Sequence, residues 1–540
     1  MRVVLLWTLF PTARTWGAPL PYTPSGDGVR EGYDTLALSR GLFWRGFGFP
    51  TMRAVLLWTL FPTTRAWGAP LPYPPPRGTG SKRVATLSRS PGVVLRGIFG
   101  GWCSGRGALF FLQSIGGMSY ERGLSGADAP GGKRERDMYD VLVIGGGASG
   151  LASGLSAARA GAGRVAVVER QARVGKKLLA TGNGRCNLYH YGLRAEEYAG
   201  DRAFIRAVLG RFDADAFFAS LGLPVAVEEN GCAYPGSNQA SAVLDCLRLT
   251  AGEAGVEEIC EFDVSRLEGG RRGWRVWAAD GRSLSAARVI VAAGGMAAPK
   301  LGGSNAFRSL LAPLGHTFTP CLPALTRLCA RPSDVAGLKG LRCAGTIALS
   351  VNGREVSRET GELLFAEDGV SGIAAMQLSM FAAEALRRGE RVEAHLNVGG
   401  GLDAAAVLAR ARRFPERALE EFLTGVVPKR IGQAALKRAG VAPLSRLVGS
   451  LSQEEAARAA DELSDWVIPV TGLPGFDAAQ VMLGGVKCRE FCPETLESKL
   501  APGLYACGEL FDATGPCGGY NLAWAWASGC LAGRSAAKTL

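Results

Sequence analysis

The segment Met138 to Arg170 constrains the fold more than any other part of the chain. An apolar run, Val141 to Ile144, meets a turn in which Gly145, Gly147 and Gly150 stand in G-x-G-x-x-G register. A small-residue helix pattern follows, then a second apolar run ending at Glu169, nineteen residues after Gly150. With 75 glycines in 540 residues, this glycine spacing is expected about once by chance. The weight therefore lies in the strand before it, the helix after it and the acid beyond. In that setting each part has a physical task in binding a dinucleotide. Gly145 permits the tight turn, Gly147 lets a pyrophosphate approach the backbone, and Gly150 lets helix and strand pack closely. The helix start, with Ala148 and Ser149, offers free N–H groups and a positive dipole end, and Glu169 can accept from ribose hydroxyls.

Charge separates the chain into two parts. Residues 1–137 hold 17 of the 61 basic and 7 of the 48 acidic side chains, so the remainder carries only +3 of the net +13. No basic face with interleaved aromatics occurs in that remainder, and a nucleic-acid partner is not expected. The leader contains a near-repeat: residues 1–24 recur at 52–75 with 20 of 24 positions identical. Its apolar runs are too short to span a bilayer. Two readings stand, a duplicated targeting segment or a start placed upstream of the natural one. The second is preferred because Met138 sits where dinucleotide-binding domains begin, and no packed domain is expected before it. The thirteen cysteines form no C-x-x-C pair and the three histidines, His190, His316 and His395, lie far apart. Reduced thiols in a cytoplasmic protein, with no metal or disulfide framework, are the expectation.

After the βαβ unit, the pattern gives a polar loop (175–188), a helical stretch (201–221), an amphipathic helix (240–254) and strands near 261–267, 274–278 and 288–292. Residues 326–400 read as short strands, with Asn352-Gly353 marking a hairpin. Residues 402–465 turn helical, with Ser452 and Glu455 spaced as a capping box. The last sixty residues return to strand, glycine and helix. The expected organisation is a leader (1–137), a Rossmann-like domain split between 138–325 and 476–540, and an inserted β-barrel-like module with a helical subdomain (326–475), an α/β chain overall.

Several ordered blocks carry a family resemblance. They are Gly175 to Asn187, Val291 to Gly295 with Pro299, Gly302 and Ser304, Pro323 to Leu325, Gly361 to Phe365, Gly369 to Gly372, Gly484 to Val486, Glu497 to Lys499, Leu504 to Glu509 and Gly518 to Trp524. Together they resemble the HI0933/YhiN-like flavoproteins, also described as aminoacetone-oxidase-like or bile-acid-reductase-like NAD(P)/FAD-dependent oxidoreductases. The similarity covers 138–540 and none of the leader. Two segments depart from the family pattern: Val481-Met482-Leu483, where a threonine is common, and Thr514 to Cys517, where an acidic glycine-rich run is usual.

The resemblance implies FAD held by a two-dinucleotide-type fold. It places Lys177, Thr181, Asn183, Gly184, Arg185, Cys186 and Asn187 over the pyrophosphate and the flavin N5 edge, with Cys186 expected as a small packing residue. Glu509 or Asp512, after Gly508, would accept from the ribityl chain. Gly518, Gly519, Tyr520, Asn521 and Leu522 would set backbone N–H groups beside the pyrimidine ring. Val264, Gly294 and Gly295 complete the expected cofactor contacts. His316 is expected to cap or pack, and no side chain is assigned as catalytic. The implied activity is reduction of an enone or imine-like small molecule through flavin N5, with NAD(P)H as a transient reductant. Oxidation of an amine such as aminoacetone, or modification of tRNA, are the alternatives.

Overall fold

The computed structural model describes residues 138–540; the expectations for residues 1–137 lie outside the described residues. A seven-stranded sheet runs in the order Val256–Ile259, Val165–Val168, Met138–Ile144, Ser283–Val291, Gly273–Ala278 and Val264–Gly270, with Leu504–Ala506 also paired to Ser283–Val291. The first four and Leu504–Ala506 are mutually parallel: Val143 lies opposite Val167 and Ile290, and Ile290 opposite Tyr505. Parallel strands are covered on both faces, so they read as unbroken apolar runs; Val141, Leu142 and Val143 are fully buried.

The two ends of the described chain meet through small residues. Helix Ala148–Arg159 follows the glycine turn, and helix Tyr520–Lys538 packs across it. A Cβ on Gly529 would lie 2.4 Å from Ser149 O, and one on Gly533 2.1 Å from Ser153 O. The helices thus touch backbone to backbone, a contact that only glycine permits. Trp524 and Trp526, expected as core residues, are buried and also donate Nε1–H to Gly508 O and Leu188 O, each at 2.9 Å.

A second, antiparallel sheet of six strands runs Leu328–Cys329, Gly369–Ser371, Arg354–Ala366, Arg342–Val351, Val392–Asn397 and Trp466–Pro469. Its edges are joined by Cys329 N–H to Gly472 O (3.0 Å) and Thr471 N–H to Cys329 O (2.9 Å), which gives it a barrel-like closure. The hairpin turns at Asn352-Gly353, both with positive φ. Helices Ala404–Arg413, Lys429–Arg438 and Gln453–Ser464 follow, and the Ser452/Glu455 capping box forms as its spacing predicts.

Three local readings change. The helical stretch 201–221 is two helices, Arg202–Leu209 and Ala214–Ser220, because Asp201 and Asp213 each cap a separate start. Val256–Ile259 adds an unforeseen parallel strand after Gly255. Residues 326–400, read as strands, contain the fifteen-residue helix Ile373–Arg387, whose fully buried Ala375, Leu378 and Ala382 pack on the second sheet. Among the described residues no helix is long and apolar enough to cross a membrane.

Candidate functional site

Parallel strands leave their C-terminal ends as a row of loops, the usual place for ligands in such sheets. Here those ends carry Gly145 to Gly147, Glu169, Ala292 to Gly295 and Glu509, which together line a cleft open to solvent. Gly145, at φ +111°, sits so close that a Cβ would lie 2.3 Å from Ala292 O; on Gly150 it would lie 1.8 Å from Gly145 O. Gly147 differs: no atom lies within 4 Å of its Cβ position, so its backbone is open to a ligand at the start of helix Ala148–Arg159. Glu169 accepts from Gly146 N–H (2.8 Å) and Gln171 N–H (2.9 Å), which holds the carboxylate against the turn.

Lys177 and Glu509 form an ion pair at 2.7 Å across the cleft, and Met482 N–H donates to the other Glu509 oxygen at 3.1 Å. Val264, Gly294 and Gly295 also line it. Sequence reasoning missed Gly146, Arg170, Gln171, Lys176, Asp263 and Ser304, which line the same cleft. Arg170 and Gln171 directly follow the acid that ends the second strand, so that proximity was the available signal.

The remaining candidates gather in a second group beside the cleft. Thr181 Oγ1–H donates to Leu178 O at 2.7 Å. Asn183, Gly184 and Cys186 all have positive φ, so this loop is tightly wound. Asn187 reaches the start of the last helix: with its amide turned as its neighbours require, the oxygen accepts from Gly519 N–H at 3.3 Å and the nitrogen donates to Tyr189 O and Ala233 O, each at 3.2 Å. Asn521 ties the preceding loop, accepting from Gly515 N–H (2.9 Å) and donating to Gly515 O (2.7 Å). Gly518 and Gly519 both have positive φ, and Leu522 packs on the core. Tyr520 is buried, its ring stacked on His190 at 5.2 Å, with burial and Glu197 raising its pKa.

Three candidates are turned away from the cleft. Arg185 pairs with Glu228, donates to Asn238 Oδ1 at 2.6 Å and lies 3.9 Å over the Tyr234 ring, so its charge is used at the surface. Cys186 has no exposed surface and burial pushes its thiol up to about 12, which matches a packing residue. Asp512 is not among the cleft residues; burial raises its carboxyl above the usual range, so of the two acids it is Glu509 that faces the cleft. His316 is buried, stacked on Phe491 at 4.6 Å and bonded to Glu490 and Ser498 at 3.0 Å each. It joins distant segments as a packing residue. No cluster of three or more metal-ligand side chains occurs among the described residues.

The chain matches the HI0933-like protein Rossmann domain over residues 139–535. It is 37% identical over 413 residues to the 3-dehydro-bile acid delta(4,6)-reductase of Clostridium scindens, covering 74% of this chain and all of that one. The ribosomal RNA dihydrouridine synthases of Escherichia coli and Haemophilus influenzae are 28% and 25% identical, over 73% and 72% of this chain and 96% of each of theirs. On that coverage the chain belongs to the HI0933-like family and is an oxidoreductase with the Rossmann-type fold of a flavoprotein.

Proposed function

We propose that this protein is an FAD-dependent reductase that saturates a carbon–carbon double bond conjugated to a carbonyl, or an imine-like bond, in a small molecule, with NAD(P)H as a transient electron source. The observation that carries this reading is 37% identity over the full length of a relative named as a bile-acid reductase. Bound FAD supplies the two-electron redox chemistry. The open backbone at Gly147 and the helix start behind it suit a pyrophosphate, and Glu169 stands where ribose hydroxyls can replace or share its backbone partners. The Lys177–Glu509 pair sits further along the cleft, where the lysine offers charge to a diphosphate and the acid a bond to the ribityl chain. Backbone N–H groups at Gly518 and Gly519, at the positive end of helix Tyr520–Lys538, stabilise negative charge on a neighbouring ring. In this reading residues 326–475 form a module that shapes the substrate side, and the enzyme works in the cytoplasm.

The test is to purify the full chain and titrate it anaerobically with NADH and with NADPH. Bleaching of a yellow flavin band by either is expected. A folded protein that stays colourless when offered FAD ends the reading.

A second reading is reduction of a uracil ring in ribosomal RNA. Two relatives with that name match across nearly their whole length, and uracil also presents a double bond conjugated to a carbonyl. Against the expectation of no basic and aromatic face, Arg417 and Arg413 lie 3.8 and 5.6 Å from the Phe414 ring centroid, a small grouping that suits RNA, while Arg410 is held by the Phe422 and Thr424 carbonyls. The near-neutral charge of 138–540 weighs against it. Dihydrouridine formed in ribosomal RNA, with steeply salt-dependent binding, would favour this reading over the first.

A further inference from the structure

Helix Ile373–Arg387 has two faces, and only one is used by its own module. Ala375, Leu378 and Ala382 are fully buried on the second sheet. At i, i+3, i+4, i+7 and i+8 on the opposite side stand Ile373, Met376, Gln377, Met380 and Phe381, one continuous face of a helix. Ile373 is 66% and Phe381 49% exposed. Met376 and Met380 instead pack half-buried against a small cluster between the two cores, together with Ala199, Leu322 and Cys517. The stripe therefore runs from solvent into the seam beside Cys517 and Gly518, where the last helix begins.

A carboxyl lies along this stripe. Glu359 is on strand Arg354–Ala366, and alternation places it on the same face as Gly361, Leu363 and Phe365, the last two fully buried. A Cβ on Gly361 would touch Ala374 of the helix at 3.7 Å, so this face meets the helix directly. Glu359 accepts one hydrogen bond, from Gln377 Nε2 at 3.2 Å, and no cationic side chain bonds it among the described residues. A half-buried carboxylate without a cation is costly in its charged form. The groups that face it are the neutral amide of Gln377 and the thiol of Cys517. Burial accordingly raises its pKa and favours the protonated form, which has one oxygen free to donate.

We propose that this stripe is the substrate-binding wall of the enzyme, and that Glu359, held by Gln377, donates a hydrogen bond to a carbonyl oxygen of an elongated apolar ligand. The inference deepens the reductase reading and rests on it. Met376 and Met380 give the wall a surface that adapts to ring systems of differing shape. In its protonated form this acid, beside apolar side chains, selects an oxygen acceptor, whereas an ammonium ligand would require the ionised form.

The probe is 4-androstene-3,17-dione, a rigid apolar ketone, titrated calorimetrically into the full chain at several pH values. The wild type is expected to bind it well at low pH and progressively less well as pH rises and Glu359 ionises. E359Q, which keeps a donor but does not titrate, is expected to remove that pH dependence, and E359A to weaken low-pH binding about tenfold, as the loss of one hydrogen bond does. I373K and F381K change exposed positions, so folding is not at stake, and each is expected to weaken binding at least tenfold. Flavin absorbance read on the same samples separates the two ideas: a colourless protein that binds the ketone in this manner overturns the reductase reading and leaves the wall standing. No binding by the yellow wild type, identical pH profiles for wild type and E359Q, unchanged affinity in I373K and F381K, or tighter binding of an amine of the same skeleton as pH rises would overturn the wall.

Discussion

The glycine turn at 145–150 and the seam where residues 480–522 close onto 177–198 and 316–319 are built by opposite means. The turn is mostly local and mostly backbone: Gly145, Gly150 and Glu169 meet within a few tens of residues through peptide N–H and C=O groups and one carboxylate, and only the Ala292 carbonyl against Gly145 comes from far along the chain. The seam joins residues hundreds apart through side chains: Lys177 to Glu509, Asn187 to Gly519, His316 to Glu490 and Ser498. A backbone-built site tolerates little change at its glycines and much change around them. A side-chain-built seam can be altered one bond at a time, which makes it the region where relatives of one fold can diverge in substrate.

The largest effect is expected at the turn. In G150V the new Cβ would lie 1.8 Å from Gly145 O and 3.0 Å from Gly145 C, both backbone atoms that cannot swing aside, with the Ala292 Cβ at 3.4 Å. A loss on the order of 4 kcal/mol or more is expected, read as loss of soluble protein or a collapsed thermal transition. A G150V variant with wild-type melting behaviour would mean the turn is not built as described. Next comes E169A, which removes the acceptor of two backbone N–H groups at the cleft. We expect about 1–3 kcal/mol of lost stability and FAD affinity lowered roughly tenfold or more by the same bond energies, measured by equilibrium dialysis. Unchanged FAD binding would remove Glu169 from the site.

A smaller effect, on pH, probes the seam. Burial lowers the pKa of His316 below its ordinary 6.5, against the opposing pull of Glu490, so folding disfavours the charged imidazolium. The unfolded chain takes up that proton first, so stability from this group is present above about pH 6.5 and is lost as pH falls. Glu490 acts in the same direction lower down: although burial opposes it, hydrogen bonds from Thr317 and His316 hold its carboxyl below 4.5. The melting temperature should therefore decline below about pH 6.5, and the decline between pH 6.5 and 5 should flatten in H316Q relative to its own maximum. A curve of the same shape in the variant would show that the seam does not depend on this contact. The smallest effect is expected at Cys186, fully buried with its thiol raised to about 12. Iodoacetamide at neutral pH should leave it unmodified in the folded protein while reaching it after denaturation, as peptide mass mapping would show. Rapid native-state labelling would place it at the surface instead.

What could be read before folding follows the same division. The parallel strands apart from Val256–Ile259, the dinucleotide turn, the Asn352-Gly353 hairpin and the Ser452/Glu455 capping box were legible, because each rests on residues close in sequence with a fixed period or spacing. Helix Ile373–Arg387 was missed. It lies between strands and carries apolar residues on two faces, so its period is blurred in one dimension. Arg185, which the family resemblance places over the pyrophosphate and the flavin edge, is turned outward by Glu228 and Tyr234, more than forty residues away.

The sequence by itself determined that a dinucleotide-type βαβ unit begins at Met138, since steric limits on glycine and the burial of parallel strands act within a short stretch of chain. Only the tertiary structure decided that Glu509 and not Asp512 faces the cleft, that Lys177 meets it from 332 residues away, and that Glu359 is bonded by the neutral amide of Gln377 beside a half-covered helix. Those outcomes depend on which distant side chains are brought together, and on the water excluded when they meet, neither of which is written in any local window.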